Sequence, residues 1–136
     1  MTEGRPPGLT ILADDLIWGT RLASIARAAG ATPTVISTVD GFAEALRGAD
    51  AALVDLSFRR SDPIAAVALA TAAGVPVVAV GPHEDHAARK LAIAAGAGRV
   101  YAYSKLFDDG PRTVAAWLRL PGPASEPAPD PAASAG

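Results

Sequence analysis

The chain has 136 residues, a formal net charge of −2, a half-hydrophobic composition and no cysteine. That length fits one domain with a sizeable core, and the missing thiols exclude disulfides and thiolate metal sites. The basic residues are scattered and form no stripe of the kind that grips nucleic acid or a membrane surface, and no apolar run approaches a membrane span.

Residues 1–8, Met1-Thr-Glu-Gly-Arg-Pro-Pro-Gly8, are polar and Pro/Gly-rich, which predicts a disordered lead-in and no signal peptide. A soluble cytoplasmic protein is the expectation. A first strand is predicted over Leu9–Ala13. Asp14 and Asp15 then open a helical pattern through Leu16, Ile17, Leu22, Ile25, Ala26 and Ala29, which Gly30 stops. Pro33–Thr38 reads as a second strand. Asp40 suits the cap of a short helix over Phe42, Ala43, Ala45 and Leu46, closed by Gly48. Ala51–Leu56 is a continuous apolar run interrupted only by Asp55, as in a strand buried on both faces of a parallel sheet.

Asp62-Pro63 begins a third helix, whose inner face is read as Ile64, Val67, Ala68 and Leu69, ending at Gly74. Val75–Val80 is a fourth strand, followed by Gly81-Pro-His83-Glu-Asp-His86 and a helix through Ala88, Leu91, Ala92 and Ala95. Arg99–Tyr103 is a fifth strand, with Ser104-Lys105-Leu106-Phe107 in a loop after it. Asp108-Asp-Gly-Pro111 opens a last helix over Val114, Trp117 and Leu118. Residues 121–136 are a Pro/Ala-rich tail that cannot bury enough apolar surface to order itself. Five strands alternating with five helices, at a spacing of about 24 residues, predict a three-layer α/β domain over residues 9–120 with short loops and right-handed crossovers.

In open α/β sheets the functional edge lies beyond the carboxyl ends of the strands. If the first and third strands are neighbours, Asp14, Asp15 and Asp55 converge there. Three carboxylates repel one another unless a cation joins them, and a magnesium ion suits such a place. Lys105, just past the fifth strand, supplies a second positive charge. Asp55 is then placed to act as nucleophile toward a phosphoryl group and form an aspartyl phosphate.

On these residues the chain resembles the receiver domains of two-component response regulators, over about residues 9–119. The resemblance rests on Asp14-Asp15 after strand one, Asp55 ending strand three, Asp62 seven residues on, and Lys105-Leu106-Phe107 after strand five. It implies a doubly wound sheet of order 2-1-3-4-5. It also implies Asp55 as phosphoacceptor, Asp14 and Asp15 as magnesium acids, the carbonyl of Ser57 as a further magnesium ligand, and Lys105 as a contact to the phosphoryl group. Several positions depart from the family. Gly81 stands where a Thr or Ser hydroxyl moves toward the phosphoryl group, and Ala102, between Tyr101 and Tyr103, where an aromatic rotamer switch sits. Arg59 replaces a proline, and Pro63 a glycine.

Each residue also has a plainer reading. Asp14 and Asp15 suit helix capping, Asp55 suits structural pairing with Lys105, and Lys105 alone suits a solvated loop. His83 and His86 are three apart, but two histidines without thiolates make a weak zinc signal. Tyr101, Tyr103 and Trp117 read as packing residues or as part of a partner surface, and Trp18 as core packing. Arg59 and Arg60 read as solvated or as phosphate or partner contacts.

The leading expectation is a stand-alone receiver-like signalling protein, not an enzyme, phosphorylated on Asp55 with Mg²⁺. Its partners would be a histidine kinase or phosphotransfer protein and a downstream protein, with output through that partner, a homodimer or the tail. The alternative is a pseudo-receiver, an interaction module independent of phosphate. A small α/β enzyme or nucleotide or flavin binder is a third reading, weakened by the lack of a glycine-rich loop after strand one.

Overall fold

Ala51-Ala-Leu-Val-Asp55 is buried at every position, as a strand covered on both faces must be. It is the middle strand of a computed structural model that describes residues 5–121. Residues 1–4 of the expected lead-in and 122–136 of the expected tail lie outside the described residues. The elements run β1 (Gly8–Leu12), α1 (Leu16–Ala29), β2 (Thr32–Ile36), α2 (Val39–Ala45) with a 3-10 turn (Leu46–Gly48), β3 (Ala51–Asp55), α3 (Pro63–Ala72), β4 (Val77–Gly81), α4 (His86–Ala94), β5 (Val100–Ala102) and α5 (Tyr103–Leu118). Gly8, expected in the lead-in, already pairs with Thr32, and its N–H donates to Asp50 at 2.7 Å.

The five strands are all parallel, in the order β2-β1-β3-β4-β5. Side chains alternate between two cores. Leu9, Ile11, Leu53, Val78 and Val80 meet Leu22 and Ala26 of α1 and Leu106 and Val114 of α5. Leu12, Val54, Val77 and Ala79 meet Phe42 of α2, Val67 of α3 and Ala92 of α4 on the other face. Each Val, Leu, Ile or Phe side chain among them contributes roughly 1.5–3 kcal/mol on burial, so both layers are needed to hold the central strands.

Local signals set most helix ends. Asp15 caps α1 by accepting from the Trp18 N–H, and Gly30 ends it at φ +103°, a conformation that favours glycine. Asp62 caps α3, with Pro63 in its first turn. The cap of α2 is Thr38, not Asp40: the Thr38 hydroxyl accepts from the Gly41 N–H at 3.0 Å, because the helix starts two residues earlier than a cap at the acid implies.

Three expected inner faces differ. Leu16 and Ile17, in the first turn of α1, are 84% and 73% exposed. In α3 the buried residues are Ala66, Val67 and Ala70, while Ala68 and Leu69 are exposed. In α4 only Ala92 is buried and Leu91 is exposed. Small residues face the sheet in these helices, so the helices lie close to it and larger neighbours are left at the margin.

The segment after β5 is also not a loop. Helical structure begins at Tyr103 and breaks at Asp109 (φ −146°, ψ 33°), two residues before Pro111, whose ring and missing N–H interrupt a continuous helix. Lys105 therefore sits on a helix. No helix among the described residues is long and apolar enough to cross a membrane.

Candidate functional site

Asp55 ends β3 in register with Val80 of β4 and is 1% exposed. A buried carboxylate is costly without partners, and Asp55 has two. The Ser57 N–H donates to its Oδ1 at 3.0 Å, and the Tyr103 hydroxyl donates to the same oxygen. Tyr103 Oη also lies 2.7 Å from Ser57 Oγ. A phenol carries one proton, so with that proton on Asp55 the serine hydroxyl donates to the phenol oxygen. The result is a short polar chain from Ser57 through Tyr103 to Asp55.

Burial pushes the Asp55 carboxyl above its usual range; the Tyr103 and Ser57 bonds oppose that shift, and the charges of Asp14 and Asp15 add to it. Burial, and then the bond to Asp55, pushes the Tyr103 hydroxyl up as well, so it stays a donor at neutral pH. The ring is held from behind. Trp18 stacks on Tyr103 (centroids 4.5 Å, 23°) and on Phe107 (4.4 Å, 18°), and the Arg21 guanidinium lies 4.3 Å from the Phe107 centroid. Trp18, read as core packing, is thus half-buried and supports the site. Tyr103 is expected as a packing or partner-surface residue flanking Ala102, where the aromatic switch is lost or displaced. Its place as the first residue past β5, at the carboxyl edge and beside Ala102, is the signal that points to it.

Asp14 and Asp15 follow β1, which pairs with β3, and Asp14 bonds to the loop after β3. Each has a local partner. Asp14 Oδ2 accepts from the backbone N–H groups of Arg59 and Arg60, at 2.7 and 3.2 Å, and so clamps the loop after β3. Asp15 Oδ1 accepts from the Trp18 N–H at 3.0 Å. Arg59 and Arg60 thus meet the site through their backbones.

Lys105 is not drawn into this group. Its ammonium lies 4.0 Å from Asp109, one turn along α5, with both side chains about half exposed. The charges that push the Asp55 carboxyl upward are those of Asp14 and Asp15.

Magnesium needs carboxylate oxygens aimed at one point. Here Asp14 holds the β3–α3 loop, Asp15 holds the start of α1, and Asp55 is covered by a phenol. Among the described residues no group of three acidic or histidine side chains is arranged to hold a metal ion. Each of the bonds to Asp14, Asp15 and Asp55 engages one oxygen of its carboxylate, and magnesium, which takes one or two carboxylates, would be held by the other oxygens and by the Ser57 carbonyl. His83 pairs with Glu84 at 3.3 Å on an exposed loop, and His86 is the exposed first residue of α4.

Two of the four departures from the receiver pattern are neighbours: Gly81 and Ala102 face each other across β4 and β5. A Cβ on Gly81 would stand 3.3 Å from the Cβ of Leu56, so the Leu56 side chain crowds the space a larger residue would need. Tyr101 and Trp117 pack against the α1–α5 core, partly buried.

No protein-family model matches the sequence, and no curated protein matches it. Solved structures do. The receiver domain of the TMAO respiratory system response regulator TorR superposes with a TM-score of 0.71 at 20% identity, covering 85% of this chain and 99% of that one. A response regulator receiver protein from Burkholderia phymatum gives 0.69 at 26% identity, covering 86% and 98%. A CheY-like receiver domain protein from Methanospirillum hungatei JF-1 gives 0.69 at 14% identity, covering 84% and 91%. The chain has the fold of response regulator receiver domains.

Proposed function

We propose that this receiver-fold chain works in signal transduction as a protein-interaction module whose Asp55 is kept closed, with no phosphate exchanged there. The observation that carries this reading is the Tyr103 hydroxyl on Asp55. A phosphoryl donor must reach a carboxylate oxygen in line, and here a stacked aromatic side chain stands over one of them. The pairing of Lys105 with Asp109 and the filling of the space at Gly81 by Leu56 support the same reading. Its partner is a protein that recognises the folded surface.

A second reading, Mg²⁺-dependent acceptance of a phosphoryl group on Asp55 from a histidine kinase or phosphotransfer protein, is favoured by one observation. Asp14 and Asp15 follow β1, which pairs with β3, so they share the carboxyl edge of the sheet with Asp55. This reading requires Tyr103 to leave Asp55 and Lys105 to leave Asp109.

Intact mass after incubation with acetyl phosphate and Mg²⁺ separates the two. The first reading expects no gain in the wild-type chain. A gain of one phosphoryl group that needs Mg²⁺ and vanishes in Asp55→Asn overturns it in favour of the second.

A further inference from the structure

The solvent face of α1 opens on two bulky aliphatic side chains. Leu16 and Ile17 are more exposed than any other large hydrophobic residue of the described structure. They head a stripe of exposed positions, with Thr20, Ser24 and Ala28 at successive helical turns behind Leu16, and Arg21 and Arg27 beside it. The side chains turned inward are Gly19, Leu22, Ala23, Ala26 and Ala29. Small residues along an exposed helix allow a second helix to approach closely, and the two bulky aliphatics at one end need a cover that nothing in the described chain provides.

Charge along the helix says what that cover is. The acidic end carries Asp14 and Asp15, and the other end carries Arg27 in the last turn. A second α1 laid antiparallel brings each acidic end to the other copy's Arg27 and aligns the two helix dipoles favourably; a parallel one stacks acid on acid. Pairing about a two-fold axis level with Leu22 sets Leu16 over Ala28, Ile17 over the stem of Arg27, and Thr20 against Ser24. Arg21 does not obstruct the axis, because its guanidinium is turned onto Phe107 of α5.

We propose that α1 is a self-association face, through which two copies of this chain pair antiparallel into a two-fold dimer. One helix pair is a small contact, so the dimer is reversible and dissociates on dilution. The face does not include Tyr103 or Asp55.

Sedimentation velocity of the full chain over a wide concentration range tests it, together with cysteine probes in a chain that has no cysteine of its own. The expected result is a monomer that becomes a dimer on concentration, with the dissociation constant raised more than about tenfold by Ile17→Glu. Under mild oxidation Ser24→Cys, beside the axis, forms a disulfide-linked dimer, while Lys90→Cys on α4 does not. Circular dichroism checks that Ile17→Glu is folded; if it is not, the Ser24→Cys crosslink decides. A monomer at every concentration with no Ser24→Cys crosslink overturns the proposal. So does a dimer that a folded Ile17→Glu leaves unchanged, or one that crosslinks through Lys90→Cys. The acetyl phosphate result is read separately, so failure of either reading leaves the other intact.

Discussion

The Tyr103 hydroxyl donates to the Asp55 carboxylate across 48 positions of sequence, joining the start of α5 to the end of β3. Tyr103→Phe keeps the ring in its stack and removes only that bond. The variant should lose about 1–3 kcal/mol of stability in urea denaturation, the usual range for a buried polar group losing its partner. The Asp55 pKa, followed by carboxyl carbon NMR, should rise further, because the Tyr103 bond lowers it. An unchanged pKa would show that the phenol does not rest on Asp55 in solution.

Asp55 itself gives stability a pH dependence of defined sign. Its folded pKa is raised, so the folded state keeps its proton to higher pH than the unfolded chain. That contribution is fully present below the unfolded value of about 3.9 and is lost as pH rises through the folded value. Asp55→Asn removes the charge that is buried at neutral pH. The variant should melt a few degrees above the wild type at neutral pH, and the gap should close in acid. A gap that widens in acid would contradict the raised pKa.

Lys105→Ala separates the two functional readings without touching Asp55. An exposed i,i+4 pair contributes little, so stability should change by less than about 0.5 kcal/mol. The Asp55 titration should stay where it is, since the charges that push it upward come from Asp14 and Asp15 and the ammonium lies by Asp109. A clear upward move of the Asp55 pKa would place the ammonium at the acid cluster instead.

Gly110 marks where α5 touches α1. A Cβ there would meet Ile25 Cγ2 at 2.8 Å, with the Cδ1 and Cγ1 atoms of Ile25 just beyond it. Gly110→Ala should therefore destabilise by about 1–3 kcal/mol through overpacking. Prying α5 from α1 should also disturb the Trp18–Phe107 stack, which tryptophan fluorescence reads. A neutral substitution would mean that Ile25 has room to move.

Much of this protein was determined by residue patterns of short range. The buried runs through Asp55 and Val80, the Asp62-Pro63 start of α3 and the stop at Gly30 follow from periodicity, capping and backbone preference, which act within a few residues. The strand order 2-1-3-4-5 was legible only through the resemblance to receivers, because pairing between distant strands leaves no local mark. Only the tertiary structure decided the partners of the charged groups. Asp14 holds the backbone of Arg59 and Arg60, Lys105 turns to Asp109, and Tyr103 reaches Asp55. The tertiary structure also decided the break at Asp109 and the helical segment from Tyr103 that precedes it. A side chain's polar partner is whichever group the packed elements bring within about 3 Å, and a shift of one helical turn exchanges it for another.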